Sequence, residues 1–134
     1  MREGRAHNVC LVADDDLFIR KIIAKNLDNL ATIVNANDGA DCLQVYQEHK
    51  PDIAFIDIHL PILTGLELID QILRIDPEAY IILISSDSTS ENVQAAITKG
   101  AKGFLAKPIL REKLIGYFSK CPTIRWADGQ TESG

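Results

Sequence analysis

A chain of 134 residues with 46% hydrophobic and 25% charged side chains has the size and balance of one globular domain, long enough to close a core without disulfide or metal staples. Its formal net charge of -5 argues against a nucleic-acid surface, which needs a basic face, so no direct nucleic-acid partner is expected. No apolar stretch approaches a membrane span, and residues 1–7 lack the apolar region of a signal peptide, so a cytoplasmic protein with no membrane partner is expected.

After a polar extension over residues 1–7, the apolar run Asn8 to Ala13 predicts strand β1, which stops at three consecutive acids, Asp14, Asp15 and Asp16. Phe18, Ile19, Ile22, Ile23 and Leu27 then recur at helical spacing with Arg20, Lys21 and Lys25 between them. This predicts amphipathic helix α1, with an acidic start suited to the helix dipole. Ala31 to Ala36 is a short run rich in branched residues, strand β2. Asn37-Asp38-Gly39 forms a turn and cap for helix α2, expected to bury Ala40, Leu43 and Tyr46 and to end near His49-Lys50-Pro51.

Ile53 to Asp57 predicts strand β3, apolar throughout except for its final carboxylate. Such a run reads as a strand covered on both faces, where an ionised acid is costly unless a cation or several donors meet it. Pro61 and Gly65 frame the loop that follows, and Leu66, Ile69, Ile72 and Leu73 mark helix α3, closed before Asp76-Pro77. Strand β4 runs from Tyr80 to Ser85. Ser88 to Glu91 has capping-box spacing for helix α4, which passes through Val93, Ala96 and Ile97 to a stop at Gly100. Gly103 to Ala106 is strand β5, and Ile109 to about Lys120 is helix α5, with Leu110, Leu114, Ile115 and Phe118 on its expected buried side.

One domain over residues 8–120 follows, with 121–134 read as a tail or the start of a linker. Five strands alternating with five helices specify an α/β fold, because parallel neighbours need a crossover. The common doubly wound order is 2-1-3-4-5, flavodoxin-like, with a crevice off the carboxyl ends of the strands. Cys10, Cys42 and Cys121 are odd in number and lack metal-ligand spacing, so free thiols in or near the core are expected.

The strand ends carry Asp14 and Asp15, Asp57, Ser85 and Lys107, and the fold brings them to one crevice. Three carboxylates in one small space either share protons or hold a hard cation, and oxygen ligands without Cys or paired His suit Mg2+. Lys107 supplies a positive charge expected to pair with Asp57 at rest, and Ser85 supplies a hydroxyl. A carboxylate nucleophile, a metal, a lysine and a hydroxyl suit phosphoryl transfer to Asp57. The plainer alternative for Asp14 and Asp15 is that they cap α1.

The segments Leu11-Val12-Ala13-Asp14-Asp15, Asp57-Ile58-His59-Leu60-Pro61 with Gly65, Ile84-Ser85-Ser86, and Gly103-Phe104-Leu105-Ala106-Lys107-Pro108 together resemble the receiver domain of bacterial response regulators, in particular the chemotaxis-regulator type. The resemblance runs from about Asn8 to Lys120. It implies Asp57 as phospho-acceptor, Asp15 as a direct Mg2+ ligand, Asp14 acting mainly through a metal-bound water, and the backbone carbonyl of His59 completing the protein ligands, with Mn2+ able to substitute. Lys107 would bind phosphate before a cis peptide bond to Pro108, and Ser85 and Phe104 would form the switch pair. Core packing is the alternative for Phe104. His59 and Asp87 stand as modulators of phosphoryl lifetime or as bystanders.

By the same resemblance the phosphoryl source is a sensor histidine kinase or phosphotransfer protein, or a small acyl-phosphate donor, and the group is lost slowly by autodephosphorylation. The output is an unknown partner protein or a missing output domain, engaged through the α4-β5-α5 face, which could also form a homodimer. Competing readings are a receiver-fold interaction or dimerisation module indifferent to phosphorylation, and a flavodoxin-like electron carrier. The acids after β1 would repel a flavin phosphate. A metal-dependent phosphatase is disfavoured because its nucleophile normally follows the first strand.

Overall fold

The computed structural model describes residues 7–87 and 89–125; most of the polar extension, Ser88 and the stretch from Trp126 onward lie outside the described residues. The elements run β1 (Val9–Ala13), α1 (Leu17–Leu27), β2 (Thr32–Ala36), α2 (Gly39–His49), β3 (Ile53–Asp57), α3 (Gly65–Ile75), β4 (Ile81–Ser85), α4 (Ser90–Lys99), β5 (Gly103–Ala106) and α5 (Arg111–Lys120). The strands form one parallel sheet in the order β2-β1-β3-β4-β5, as expected.

Strand periodicity explains why β1, β3 and β4 are apolar almost throughout. Alternate side chains leave opposite faces, and both faces are covered. Leu11, Ala13, Ala54, Ile56, Ile81 and Leu83 enter the core shared with α2, α3 and α4. Cys10, Val12, Ile53, Phe55, Ile82 and Ile84 enter the core shared with α1 and α5. Each fully buried Leu, Ile or Phe contributes about 1.5–3 kcal/mol by leaving water.

The helices show where spacing alone misassigned burial. On α1 the buried stripe is Ile19, Ile23 and Leu27, at intervals of four, whereas Phe18 is 68% exposed. One residue turns the helix by about 100°, so Phe18 and Ile19 cannot share a face. On α2, Cys42 and Tyr46 take the core positions, Leu43 is half-buried and Ala40 is exposed. On α5, Leu114 and Phe118 are buried, but Leu110 precedes the first turn as N-cap residue and is half-exposed. The cap of α4 is Thr89, whose side chain accepts from the Asn92 amide, so the Ser88 box is replaced by a cap one residue later. The reciprocal capping box belongs to α3, between Thr64 and Glu67.

Beyond α5 the chain turns under the amino ends of the strands. Thr123 Oγ1 donates to Asp52 Oδ1 at 2.7 Å, while the Asn8 side chain donates to Arg125 O (2.7 Å) and accepts from Arg125 N (2.6 Å). Residues 121–125 are thereby pinned to the segments that lead into β1 and β3. All three cysteines are buried free thiols. Among the described residues no helix is long and apolar enough to cross a membrane.

Candidate functional site

The carboxyl ends of β1 and β3 bring Asp14, Asp15 and Asp57 together, with one carboxylate oxygen of each within 4.8 Å of the others. Asp14 is fully buried and Asp57 nearly so, while Asp15 is exposed. Strand β5 ends beside them and delivers Lys107, whose Nζ lies 3.1 Å from Asp14 Oδ2 and 3.6 Å from Asp57 Oδ2. The resting lysine therefore makes the expected pair with Asp57 and also bridges to Asp14, toward which it leans. The Lys107–Pro108 peptide bond is cis.

The local hydrogen bonds fix the acids unequally. Asp14 Oδ1 accepts from the Asp16 amide at 2.8 Å, and Asp57 Oδ1 accepts from the His59 amide at 3.1 Å. Asp14 Oδ2 is buried without a hydrogen-bond donor of good geometry, so its compensation is the ion pair with Lys107. Burial pushes the Asp14 carboxyl above its usual range, against the pull of the Asp16 amide and of Lys107. Burial alone would lower Lys107, but Asp14 and Asp57 outweigh it and hold the ammonium above its ordinary value. Neither Asp14 nor Asp15 caps α1: that role falls to Asp16, which accepts from the Phe18 amide at 2.9 Å.

A buried carboxylate oxygen compensated only by an ammonium, beside two further carboxylates, belongs to an oxygen ligand set that fits Mg2+ or Mn2+, hard cations that keep several waters. The remaining expected residues fall around this cluster. Ser85 is buried at the end of β4, its hydroxyl accepting from the Asp87 amide at 2.9 Å and its carbonyl from the Lys107 amide at 2.9 Å. His59 is exposed, and its backbone amide ties it to the site by donating to Asp57 Oδ1. Asp87 is exposed in the loop after β4. Phe104 is half-buried on edge strand β5 and packs against the core on the α2, α3 and α4 side.

The loop after Asp57 is held from two sides. Gly65 sits where a Cβ would meet Ile58 Cα at 2.8 Å and Asp57 O at 3.0 Å, so only glycine lets α3 start this close to the acid. Gly39, the first residue of α2, donates to Pro61 O at 2.9 Å, and a Cβ there would lie 2.3 Å from Leu63 O. Between these clamps, Leu63 N donates back to Pro61 O at 2.9 Å around Ile62, whose φ is 74°. That is a γ-turn centred on a β-branched residue at positive φ, a strained arrangement.

Sequence reasoning did not reach Arg20, whose guanidinium donates to Asp14 O, or Tyr117, whose hydroxyl contacts the backbone of Phe104. Both act on main-chain atoms, which leave no pattern in side-chain type; only the absent Cβ at Gly103 hinted at a close neighbour.

The chain matches the family model of the response regulator receiver domain over residues 10–119. It is 35% identical over 113 residues to chemotaxis protein CheY of Listeria monocytogenes, covering 82% of this chain and 94% of that one. With CheY of Bacillus subtilis it shares 32% over 117 residues, 86% of this chain and 97% of the relative. Among solved structures, the receiver domain of NtrX from Brucella abortus superposes with a TM-score of 0.74 at 34% identity, covering 79% of this chain and 91% of that one. CheY4 of Vibrio cholerae superposes with a TM-score of 0.80 at 25% identity, covering 87% and 99%.

Proposed function

Because this chain belongs to the response regulator receiver domain family, we propose that Asp57 accepts a phosphoryl group from a sensor histidine kinase or phosphotransfer protein and that the phosphorylated chain changes its affinity for an output partner. The observation that carries this reading is the bridging of Asp14 and Asp57 by Lys107 within a three-carboxylate cluster. Asp57 Oδ2 attacks phosphorus, the bond from phosphorus to the donor nitrogen or oxygen breaks, and the donor leaves with the electron pair. Lys107 neutralises the charge that gathers on the phosphoryl oxygens. Asp14 and Asp15, with Asp57 and the His59 carbonyl, would hold Mg2+ or Mn2+, which supplies charge neutralisation and orientation when bound.

The rim of the site supports a protein donor. Four large apolar side chains, Leu17, Phe18, Ile62 and Leu110, are between 51% and 74% exposed in the segments that follow β1, β3 and β5. Water-exposed apolar groups around an acidic centre suit burial against a partner surface. After transfer, Ser85 would exchange its bond to the Asp87 amide for one to a phosphoryl oxygen, and Phe104 would move with it, altering the α4-β5-α5 face. His59 and Asp87, both exposed, would tune attack by water and hence phosphoryl lifetime, or stand as bystanders.

Incubation with Mg2+ and a small acyl-phosphate donor, read by intact mass, tests the proposal. One phosphoryl adduct is expected, absent in Asp57→Asn. No adduct, or one that survives Asp57→Asn, overturns it. Partner binding unchanged by phosphorylation would instead identify a constitutive interaction module.

A further inference from the structure

Strand β5 is the edge of the sheet, so half of its backbone groups have no neighbouring strand. The Lys107 amide donates to Ser85 O on β4. In a parallel ladder the residues that face a given neighbour alternate, so 105 faces β4 as 107 does and Phe104 before it turns both its N–H and its C=O outward. Tyr117 of α5 takes both groups. Its Oη accepts from Phe104 N at 3.4 Å and donates to Phe104 O at 3.2 Å. The hydroxyl stands in for one rung of a sixth strand.

The tyrosine reaches this position because residue 103 is glycine. A Cβ on Gly103 would lie 2.2 Å from Tyr117 Cε1 and 2.7 Å from Cζ, so the ring rests on the bare α-carbon of the preceding residue. The two side chains sit on opposite layers. Phe104 packs with the α2, α3 and α4 core, Tyr117 with the α1 and α5 core. The hydroxyl bridge is therefore a link around the sheet edge between the residue expected to switch and the helix expected to respond.

We infer that Tyr117 is a positioning residue that fastens Phe104 to α5, so that displacement at Phe104 is passed to the helix through this hydroxyl. The inference rests on the phospho-acceptor reading and names a device by which that site would reach α5. A packed neighbour without the hydroxyl could support the fold equally well. The two hydrogen bonds add a directional tie between the strand backbone and the helix, since they stretch or break when β5 moves alone, whereas a packed ring can slide.

Tyr117→Phe keeps the ring on Gly103 and removes only the bridge. The wild type and the variant are loaded with Mg2+ and beryllofluoride, binding is followed by fluorine resonance, and amide exchange is measured along α5. The expected result is binding unchanged within about twofold, an altered exchange of α5 on loading in the wild type, and loss of that alteration in Tyr117→Phe. The Phe104 amide resonance, shifted in the unloaded variant, checks that the bridge existed in solution. An α5 response equal in both proteins overturns the proposal, as does an unshifted Phe104 amide. Absence of any beryllofluoride signal in the wild type overturns the phospho-acceptor reading itself, and this inference with it.

Discussion

The Lys107 ammonium lies closer to Asp14, at 3.1 Å, than to Asp57, at 3.6 Å. The cation thus serves first the acid that is wholly buried and whose Oδ2 has no other compensating partner. Before any phosphoryl group arrives, Lys107 is part of what makes the acid cluster tolerable to the fold.

Replacing Lys107 by methionine is expected to destabilise the metal-free protein by about 1–3 kcal/mol, the cost of leaving a buried polar group without compensation. Saturating Mg2+ should return part of that loss, because a second cation can meet the same oxygens. Urea unfolding with and without Mg2+ measures both. A Lys107→Met variant as stable as the wild type in chelator would contradict the assignment.

Asp14→Asn should act in the opposite direction. The Asp14 carboxyl is raised by burial, so the folded state holds its proton to higher pH than the unfolded chain does. Its contribution to stability is full below the ordinary carboxylate value and falls away as pH rises through the raised one. The penalty therefore grows as pH rises, and Asp14→Asn removes it. A higher urea midpoint at neutral pH is expected, together with Mg2+ affinity at least about tenfold weaker, or about 1.4 kcal/mol. Calorimetric Mg2+ titration supplies the second number.

Ile62 is 74% exposed and sits at φ 74°, so its strained backbone is not offset by burial of its side chain. Asparagine tolerates this region far better than a β-branched residue. Ile62→Asn is expected to raise stability by about 1 kcal/mol, seen in the unfolding midpoint, while phosphoryl uptake from a small donor stays the same. Transfer from a protein donor should slow, since the variant removes an apolar rim group.

The buried thiols set an alkaline limit. Burial pushes Cys42 up to about 12 from an ordinary 9.0, and raises Cys10 and the Tyr80 phenol as well. Above the unfolded thiol value the unfolded chain loses protons that the folded one keeps, so stability falls by about 1.4 kcal/mol per pH unit for each of the buried thiols Cys10 and Cys42. Urea midpoints should decline steadily from about pH 9 upward, and Cys42→Ala should flatten the slope. Native protein at neutral pH should resist thiol alkylation until denaturant is added.

The parts of the site that could be read directly are those coded by residue type at a strand end. Asp14, Asp57, Ser85 and Lys107 interrupt apolar runs, and the parallel topology places such interruptions at one edge. Helix burial was less legible, because adjacent apolar residues such as Phe18 and Ile19 satisfy a helical spacing equally while only one faces the sheet. The anchoring of Thr123 and Arg125 was hidden in a polar stretch whose partners, Asp52 and Asn8, lie 71 and 117 residues away.

The sequence by itself determined the order of strands and helices, the cores on both faces of the sheet, and the four polar strand ends, since periodicity and side-chain chemistry are local properties. Only the tertiary structure decided how the charge is shared. Which carboxylate Lys107 leans toward, which oxygen is left without a donor, and which hydroxyl meets the outer edge of β5 depend on distances of a few tenths of an ångström between segments far apart in the chain. Those distances follow from packing, because the close approaches at Gly39, Gly65 and Gly103 set how near the loops and helices come to the strands.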